Sequence, residues 1–125
     1  MANSSSYKGT DLKFRFRADG AFSFNDHEWD IAFTVGAKSC KMTKRNQPGG
    51  AFIVTCDKQN MGVKACSDGS WIFLLDTTYF GHGRLVAVLT EYIPDADFDP
   101  TETFPTLDSV RNEVARFSMH NILDI

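Results

Sequence analysis

Histidine and cysteine are the residues of this chain best suited to metal binding or nucleophilic chemistry. The three histidines, His27, His82 and His120, lie far apart in the sequence. Together with the cysteines they could in principle form a zinc site or a Cys-His nucleophilic pair. No spacing among them selects either arrangement, and His82, placed between Gly81 and Gly83, is best explained as an exposed turn residue. We therefore assign no catalytic residue.

The three cysteines, Cys40, Cys56 and Cys66, are odd in number and lack Cys-x-x-Cys spacing. This pattern is typical of free buried thiols and does not match a disulfide framework or a zinc ribbon. Because Cys40 and Cys56 fall in strand-like runs, we expect reduced and poorly accessible thiols. No metal ligand and no cofactor-binding residue is assigned from their spacing.

A group of acidic residues invites a calcium interpretation, because calcium takes about six to eight oxygen ligands. An EF-hand loop that began at Asp95 would need Gly at its sixth position and Glu at its twelfth, but Pro100 and Thr106 stand there. We therefore interpret the group as a solvated acidic loop without a tightly bound metal. Its members are Asp95, Asp97, Asp99 and Glu102.

Aromatic residues are abundant, with 11 Phe, 3 Tyr and 2 Trp. Exposed aromatic rings would be suited to stacking on sugars, because one part of such a side chain is apolar and another part is polar. Alternation places Trp29 on the same strand face as Ile31 and Phe33, which favours a core position over ligand stacking. The candidates for stacking are Trp29, Trp71, Tyr79 and Tyr92.

The elements that would position these residues are predicted to be short strands. Apolar and polar residues alternate with a period of two in residues 11–17 and again in residues 29–35, as in half-buried strands. Residues 38–44 and 51–56 flank a Pro-Gly-Gly turn and predict a hairpin. Another strand is predicted at residues 71–75.

The second half of the chain contains one strand-like run without a polar face. Residues 85–89 are all apolar, which predicts a central strand within residues 84–92. The Pro-rich residues 94–105 predict a long surface loop. Residues 107–125 fit a helix or a closing strand, and we predict a strand. Short strands between turn signals are typical of a sandwich or barrel.

Length and charge set the domain organisation. A chain of 125 residues fits one domain, which we divide into a flexible N-terminal arm, residues 1–10, and a single β-sandwich domain, residues 11–125. The net charge of -3 and the scattered basic residues argue against nucleic-acid binding. No run reaches the roughly 20 apolar residues of a membrane helix, so we expect no membrane partner and synthesis in a cytosol.

An ordered series of motifs resembles a family of small β-sandwich domains from bacteriophages of Bacteroidetes. That family includes crAss-like phages and is related to the N-terminal domain of baseplate upper proteins. The resemblance extends from Asp11 to the C-terminus, and the acidic loop followed by Arg-x-Glu-Val is its most specific part. The motifs are Trp-Asp-Ile-Ala-Phe-Thr at 29–34, Asp-Gly-Ser-Trp-Ile at 68–72, Gly-His-Gly-Arg-Leu at 81–85, Pro-Asp-Ala-Asp-Phe at 94–98 and Arg-Asn-Glu-Val at 111–114.

The resemblance implies a virion structural protein, a non-enzymatic adaptor or attachment module of a baseplate, tail or head-fibre assembly. We expect an all-β antiparallel sandwich, jelly-roll or immunoglobulin-like, that contacts other virion proteins and forms a homo-oligomer such as a trimer. The chain departs from the family pattern in a longer loop at residues 99–110. A carbohydrate-binding module that contacts the host surface is the alternative, and a hydrolase without a recognised site is the third hypothesis.

Overall fold

The computed structural model describes residues 4–17, 22–46, 51–94 and 109–123. These segments form strands and a single helical turn, so the all-β prediction is confirmed. The elements are β1 (Ser5–Tyr7), β2 (Asp11–Phe16), β3 (Glu28–Val35), β4 (Lys38–Asn46), β5 (Phe52–Cys56), β6 (Gly62–Ala65), β7 (Trp71–Asp76), α1 (Thr77–Phe80), β8 (Gly83–Pro94) and β9 (Ser109–Leu123).

The strands form two sheets that curl into a half-barrel, which is consistent with a sandwich-like fold. A six-stranded sheet has the order β1-β9-β8-β3-β4-β5, and a three-stranded sheet has the order β2-β7-β6. The described pairings are antiparallel except for β1 with β9, which is parallel. The larger sheet is therefore mixed, whereas the sequence analysis predicts antiparallel strands only.

The core lies between the inward faces of the two sheets. Period-two alternation in β3 and β7 buries Trp29, Phe33, Trp71 and Phe73 completely. The two indole rings meet edge to face with their centroids 5.4 Å apart, and Phe73 packs against Phe33 at 5.7 Å. Such aromatic packing contributes about 0.5–1.5 kcal/mol per pair beyond the burial of area.

Strand β8 is interior, as its continuous apolar run predicted, since it pairs with β3 on one side and β9 on the other. Its two faces nevertheless differ. Leu85, Ala87 and Leu89 are buried in the core, whereas Val86 and Val88 are only half-buried on the opposite face. Residues 109–123 form β9, which confirms the strand predicted for this part of the chain.

The N-terminal segment contains a short strand. Residues 5–7 form β1, a short edge strand that lies beside the last strand of the same chain. The Lys8 amide donates to the Leu123 carbonyl at 2.9 Å, and the Asn121 amide donates to the Ser4 carbonyl at 3.0 Å. The polar sequence of this strand has no apolar alternation, so periodicity could not predict it. Its pairing depends on backbone groups that any residue can supply.

His120 on β9 hydrogen-bonds to serines at and next to β1 through both ring nitrogens. Its Nδ1 lies 2.6 Å from Ser4 Oγ, and its Nε2 lies 2.9 Å from Ser6 Oγ. Burial lowers the pKa of the imidazole below its ordinary value, because the charged form is poorly solvated there. The neutral ring uses one nitrogen as a donor and the other as an acceptor, so the two serines suit it.

Candidate ligand-binding pocket

A pocket of about 300 Å³ opens at one end of the six-stranded sheet. The volume lies at the lower end of the roughly 300–1,000 Å³ that small-molecule sites occupy. Its lining groups are two carboxylates, an imidazole, an amide and a phenol, contributed by the turn before β3, the start of β3, the end of β4 and the last part of β8. The lining residues are Asp26, His27, Glu28, Asn46 and Tyr92.

Two buried tryptophans anchor the turn that forms one wall of the pocket. The Trp29 indole donates to the Phe24 carbonyl at 2.9 Å, and the Trp71 indole donates to Asn25 Oδ1 at 2.9 Å. Phe22 and Phe24 insert their rings into the core on the same side. Since each indole N–H must find an acceptor when buried, the core itself fixes the path of the turn.

Lys44 is fully buried and hydrogen-bonds to residues of the same wall. Its ammonium donates to the Asn25 carbonyl at 2.8 Å, the His27 carbonyl at 2.9 Å and Asn46 Oδ1 at 2.7 Å. All three donors of the ammonium are therefore used. Burial lowers the pKa of Lys44, while the charges of Glu28 and Asp26 oppose that shift.

Asn46, which accepts a hydrogen bond from Lys44, also donates to Glu28 and Asp26 of the pocket lining. Its backbone amide donates to Glu28 Oε2 at 2.9 Å, and its side-chain amide donates to the Asp26 carbonyl at 3.1 Å. The Glu28 carboxylate is therefore held in place without a ligand. A preorganised acceptor of this kind binds a hydroxyl or amino donor at little entropic cost.

Tyr92 forms the aromatic part of the lining. The Arg45 guanidinium lies over its ring at 4.2 Å, and its hydroxyl donates to the nearly buried carboxylate of Asp30. Burial, followed by the bond to Asp30, raises the pKa of the Tyr92 phenol. The phenol therefore stays protonated, and its ring is fixed at the edge of the pocket.

His27 is paired with a carboxylate outside the lining set. Its Nδ1 lies 3.2 Å from Glu91 Oε2 and 3.3 Å from the Ser23 amide nitrogen. An Nδ1 without a proton accepts from the Ser23 amide, whereas an Nδ1 that carries one donates to Glu91. The described lining residues include no Ser, Thr or Cys, the usual nucleophiles of acyl transfer. The arrangement is suited to binding a small ligand rich in hydroxyl groups.

The four aromatic residues proposed for sugar stacking do not form one exposed surface. Trp29 and Trp71 are fully buried, so neither can serve as an exposed platform. Tyr92 lines the pocket. Tyr79 lies elsewhere, on α1, where its hydroxyl donates to the Ser39 carbonyl at 2.9 Å and Lys38 and Lys58 lie over its ring.

No histidine of the described residues joins the cysteines in a group of potential metal ligands. His82 is exposed in the turn before β8, as predicted, while His27 and His120 lie in different contacts. Cys40 is buried as expected, but Cys56 and Cys66 are partly exposed, so these two are more accessible than predicted. The acidic residues proposed and rejected as calcium ligands, Asp95, Asp97, Asp99 and Glu102, lie outside the described residues.

Sequence reasoning missed Lys44 and Asn46. A signal was present, because the alternation that places Cys40 and Met42 on the core face of β4 also places Lys44 there. A lysine on an apolar face is almost never buried without partners. That position alone therefore indicates a cluster of acceptors nearby.

Comparisons with known proteins do not identify a relative. No family model matches this chain, and neither the curated proteins nor the solved structures searched include a match. Within the described residues, no helix has the length and apolar character needed to span a bilayer.

Proposed function

We propose that this chain is a non-enzymatic structural protein of a bacteriophage particle, an adaptor that assembles through the edges of its larger sheet. The observation that carries the proposal is a difference between the edges of the two sheets. Edge strands β2 and β6 carry Asp11, Lys13, Arg15 and Lys64, whereas edge strands β1 and β5 carry no charged residue. Charged side chains on edge strands prevent pairing with other chains, so only the larger sheet is left open to such pairing.

Exposed apolar residues lie at the same two edges. Tyr7 on β1 is 56% exposed, and its register partner Leu123 on β9 is 39% exposed. On β5, Ile53 is 50% exposed and Phe52 is 43% exposed. A partner strand added to either edge would gain backbone hydrogen bonds and would bury these side chains.

The resemblance to phage baseplate-type sandwiches supports the particle as the setting. The motif at 29–34 lies in β3 and the one at 111–114 in β9, while those at 68–72 and 81–85 lead into β7 and β8. Residues 95–98 of the remaining motif lie outside the described residues. Homo-oligomers with closed symmetry, such as a trimer, would use one edge of each copy against the next. Other virion proteins would then bind the remaining surface.

Edge pairing is tested by placing a charge on β5. We expect the purified wild-type chain to sediment as a homo-oligomer, and Ile53→Lys to shift it toward the monomer. Leu74→Lys is the matched control, because Leu74 is 40% exposed but lies on β7, the central strand of the smaller sheet. A wild-type chain that stays monomeric at high concentration, or equal effects of both substitutions, would contradict edge pairing.

The particle assignment has its own measurement. Mass spectrometry of purified phage particles should detect the chain in fixed stoichiometry with the other structural proteins, and crosslinking of intact particles should identify its neighbours. A chain present in infected-cell lysate but absent from purified particles would refute the assignment.

The pocket favours carbohydrate binding as a second candidate function. Carboxylate and amide acceptors beside the fixed Tyr92 ring suit a monosaccharide or disaccharide of a cell surface. On a glycan array, we expect Tyr92→Ala to abolish any binding that the wild-type chain shows, whereas Tyr79→Ala should leave it intact. Binding that survives Tyr92→Ala would exclude this pocket as the site.

A further inference from the structure

A second cluster of chemically active groups lies in the hairpin formed by β4 and β5. The Sγ atoms of Cys40 and Cys56 are 3.5 Å apart. A carboxylate oxygen of Asp57 completes the group, and the three potential ligand atoms all lie within 4.8 Å of one another. Cys40 is buried, Cys56 is partly exposed and Asp57 is exposed, so the cluster can be reached from solvent on one side.

The hairpin holds the carboxylate in position beside the thiols. The Lys41 amide donates to Asp57 Oδ1 at 2.9 Å, and the Asp57 amide donates to the Lys41 carbonyl at 3.1 Å. The remaining oxygen of Asp57 lies 3.8 Å from the ammonium of Lys58, on an exposed surface where ion pairs contribute little. A divalent cation could replace that contact without disturbing the backbone.

Strand register argues against a disulfide between these cysteines. Cys56 lies directly opposite Met42, so Cys40 is its diagonal neighbour, two residues away on the facing strand. Diagonal neighbours in an antiparallel pair have Cα atoms about 7–8 Å apart, whereas a disulfide needs roughly 4.4–6.8 Å. The thiols touch, but the backbone is too wide for an unstrained S–S bond.

The same spacing suits two thiolates on one metal ion. Zinc–sulfur bonds of about 2.3 Å in a tetrahedron place the two sulfurs about 3.8 Å apart. The observed separation of 3.5 Å needs only a small opening. We propose that Cys40, Cys56 and Asp57 form a binding site for a thiophilic divalent cation of the zinc class, with a solvent molecule or an external ligand at the fourth position.

Binding exchanges protons for the metal. Two S–H bonds break, two metal–sulfur bonds form, and two protons pass to solvent, while Asp57 binds as the carboxylate. Burial above all, together with the hydrogen bond and charge of Cys56 and then the charge of Asp57, raises the pKa of the Cys40 thiol far above its ordinary value. Ligand deprotonation is coupled to metal binding in this exchange.

Cadmium is a suitable probe, because its thiolate complexes absorb in the ultraviolet. Titration of the reduced protein with Cd²⁺ alone should give a sulfur-to-metal charge-transfer band that saturates at one ion per chain. Cys56→Ser should abolish the band and Asp57→Asn should weaken it. Cys66→Ser is the matched control, since Cys66 is also partly exposed but is not part of the cluster.

Alkylation provides an independent readout that does not depend on a variant. At a free Zn²⁺ concentration ten times the dissociation constant, the alkylation rate of Cys56 should fall roughly tenfold, because only the metal-free fraction reacts. Cys66 should react at an unchanged rate. The proposal is overturned if the folded chain gives no saturable band, if Cys66→Ser removes it equally, or if Zn²⁺ leaves Cys56 as reactive as before.

Discussion

Lys44 shows how one residue can link the core to the pocket. Its stem crosses the apolar face of β4, and its ammonium ends among three oxygen acceptors that belong to the pocket wall. Charged lysines are almost never buried unless they are paired or fully hydrogen-bonded. The cost of burying this charge is therefore offset by contacts that also determine where Asn25, His27 and Asn46 lie.

Replacing Lys44 by Met should therefore destabilise the protein while keeping the apolar stem. Three part-buried hydrogen bonds would lose their donor, and each such loss costs about 1–3 kcal/mol where no solvent replaces it. We expect a loss of at least roughly 2 kcal/mol in the free energy of unfolding, measured by urea denaturation. Lys64→Met on β6 is the control, because Lys64 is exposed, and its effect should stay within about 0.5 kcal/mol. Equal losses in the two variants would contradict this account of Lys44.

His120 should make the attachment of β1 sensitive to acid. The folded chain holds its pKa below the ordinary 6.5, so the unfolded chain binds more protons when the pH falls below that value. Stability is thus present near pH 7 and above, and is lost as the pH falls through about 6.5 toward the folded-state pKa. Urea denaturation should show this loss in the wild-type chain and a smaller one in His120→Gln. An NMR titration of His120 with a midpoint at or above 6.5 would contradict the prediction.

The glycine that begins β8 packs closely against the end of β3. Gly83 has φ of +139°, and a Cβ at this position would lie 2.8 Å from Cγ1 of Val35, at the end of β3. Val35 is buried, so its side chain has little room to move. The contact lies just beyond the last of the seven register pairs between these strands, Thr34 with Val86.

Gly83→Ala should consequently cost about 1–3 kcal/mol, since it combines an unfavourable φ with overpacking. Gly62→Ala is the control, because a Cβ there would have no atom within 4 Å and the backbone has no positive φ. Thermal unfolding followed by circular dichroism compares the two variants directly. If Gly62→Ala is as destabilising as Gly83→Ala, the steric argument fails.

The fold class could be predicted from the sequence, but the order and pairing of the strands could not. Period-two alternation at Trp29, Ile31 and Phe33 identified β3 and its core face, because side-chain direction follows from the local backbone. The order of strands in the sheets depends on long-range pairing, which alternation does not encode. The pocket was missed because its wall is fixed by tertiary bonds from Trp29, Trp71 and Lys44 to a turn without a pattern of its own.

Removing the first strand should change how the molecule behaves in solution. Deleting residues 1–8 removes the backbone bonds to Asn121 and Leu123 and uncovers the edge of β9 at residues 121–123, where β1 pairs with it. We expect a loss of about 1–3 kcal/mol of stability and increased self-association, measured by light scattering. Tyr7→Ala keeps the backbone pairing, so its loss of stability and its increase in self-association should both be smaller than those of the deletion. Unchanged stability and association after the deletion would mean that β1 contributes little to the fold.

The contact between Trp29 and Trp71 provides an intrinsic optical reporter of the pocket. These are the only two tryptophans of the chain, so all indole fluorescence arises from one buried, edge-to-face pair. Both N–H groups donate to the turn at Phe24 and Asn25, next to the lining residues Asp26 and His27. Emission wavelength and near-ultraviolet circular dichroism therefore follow the state of that turn, and a ligand that shifts it can be detected without a label.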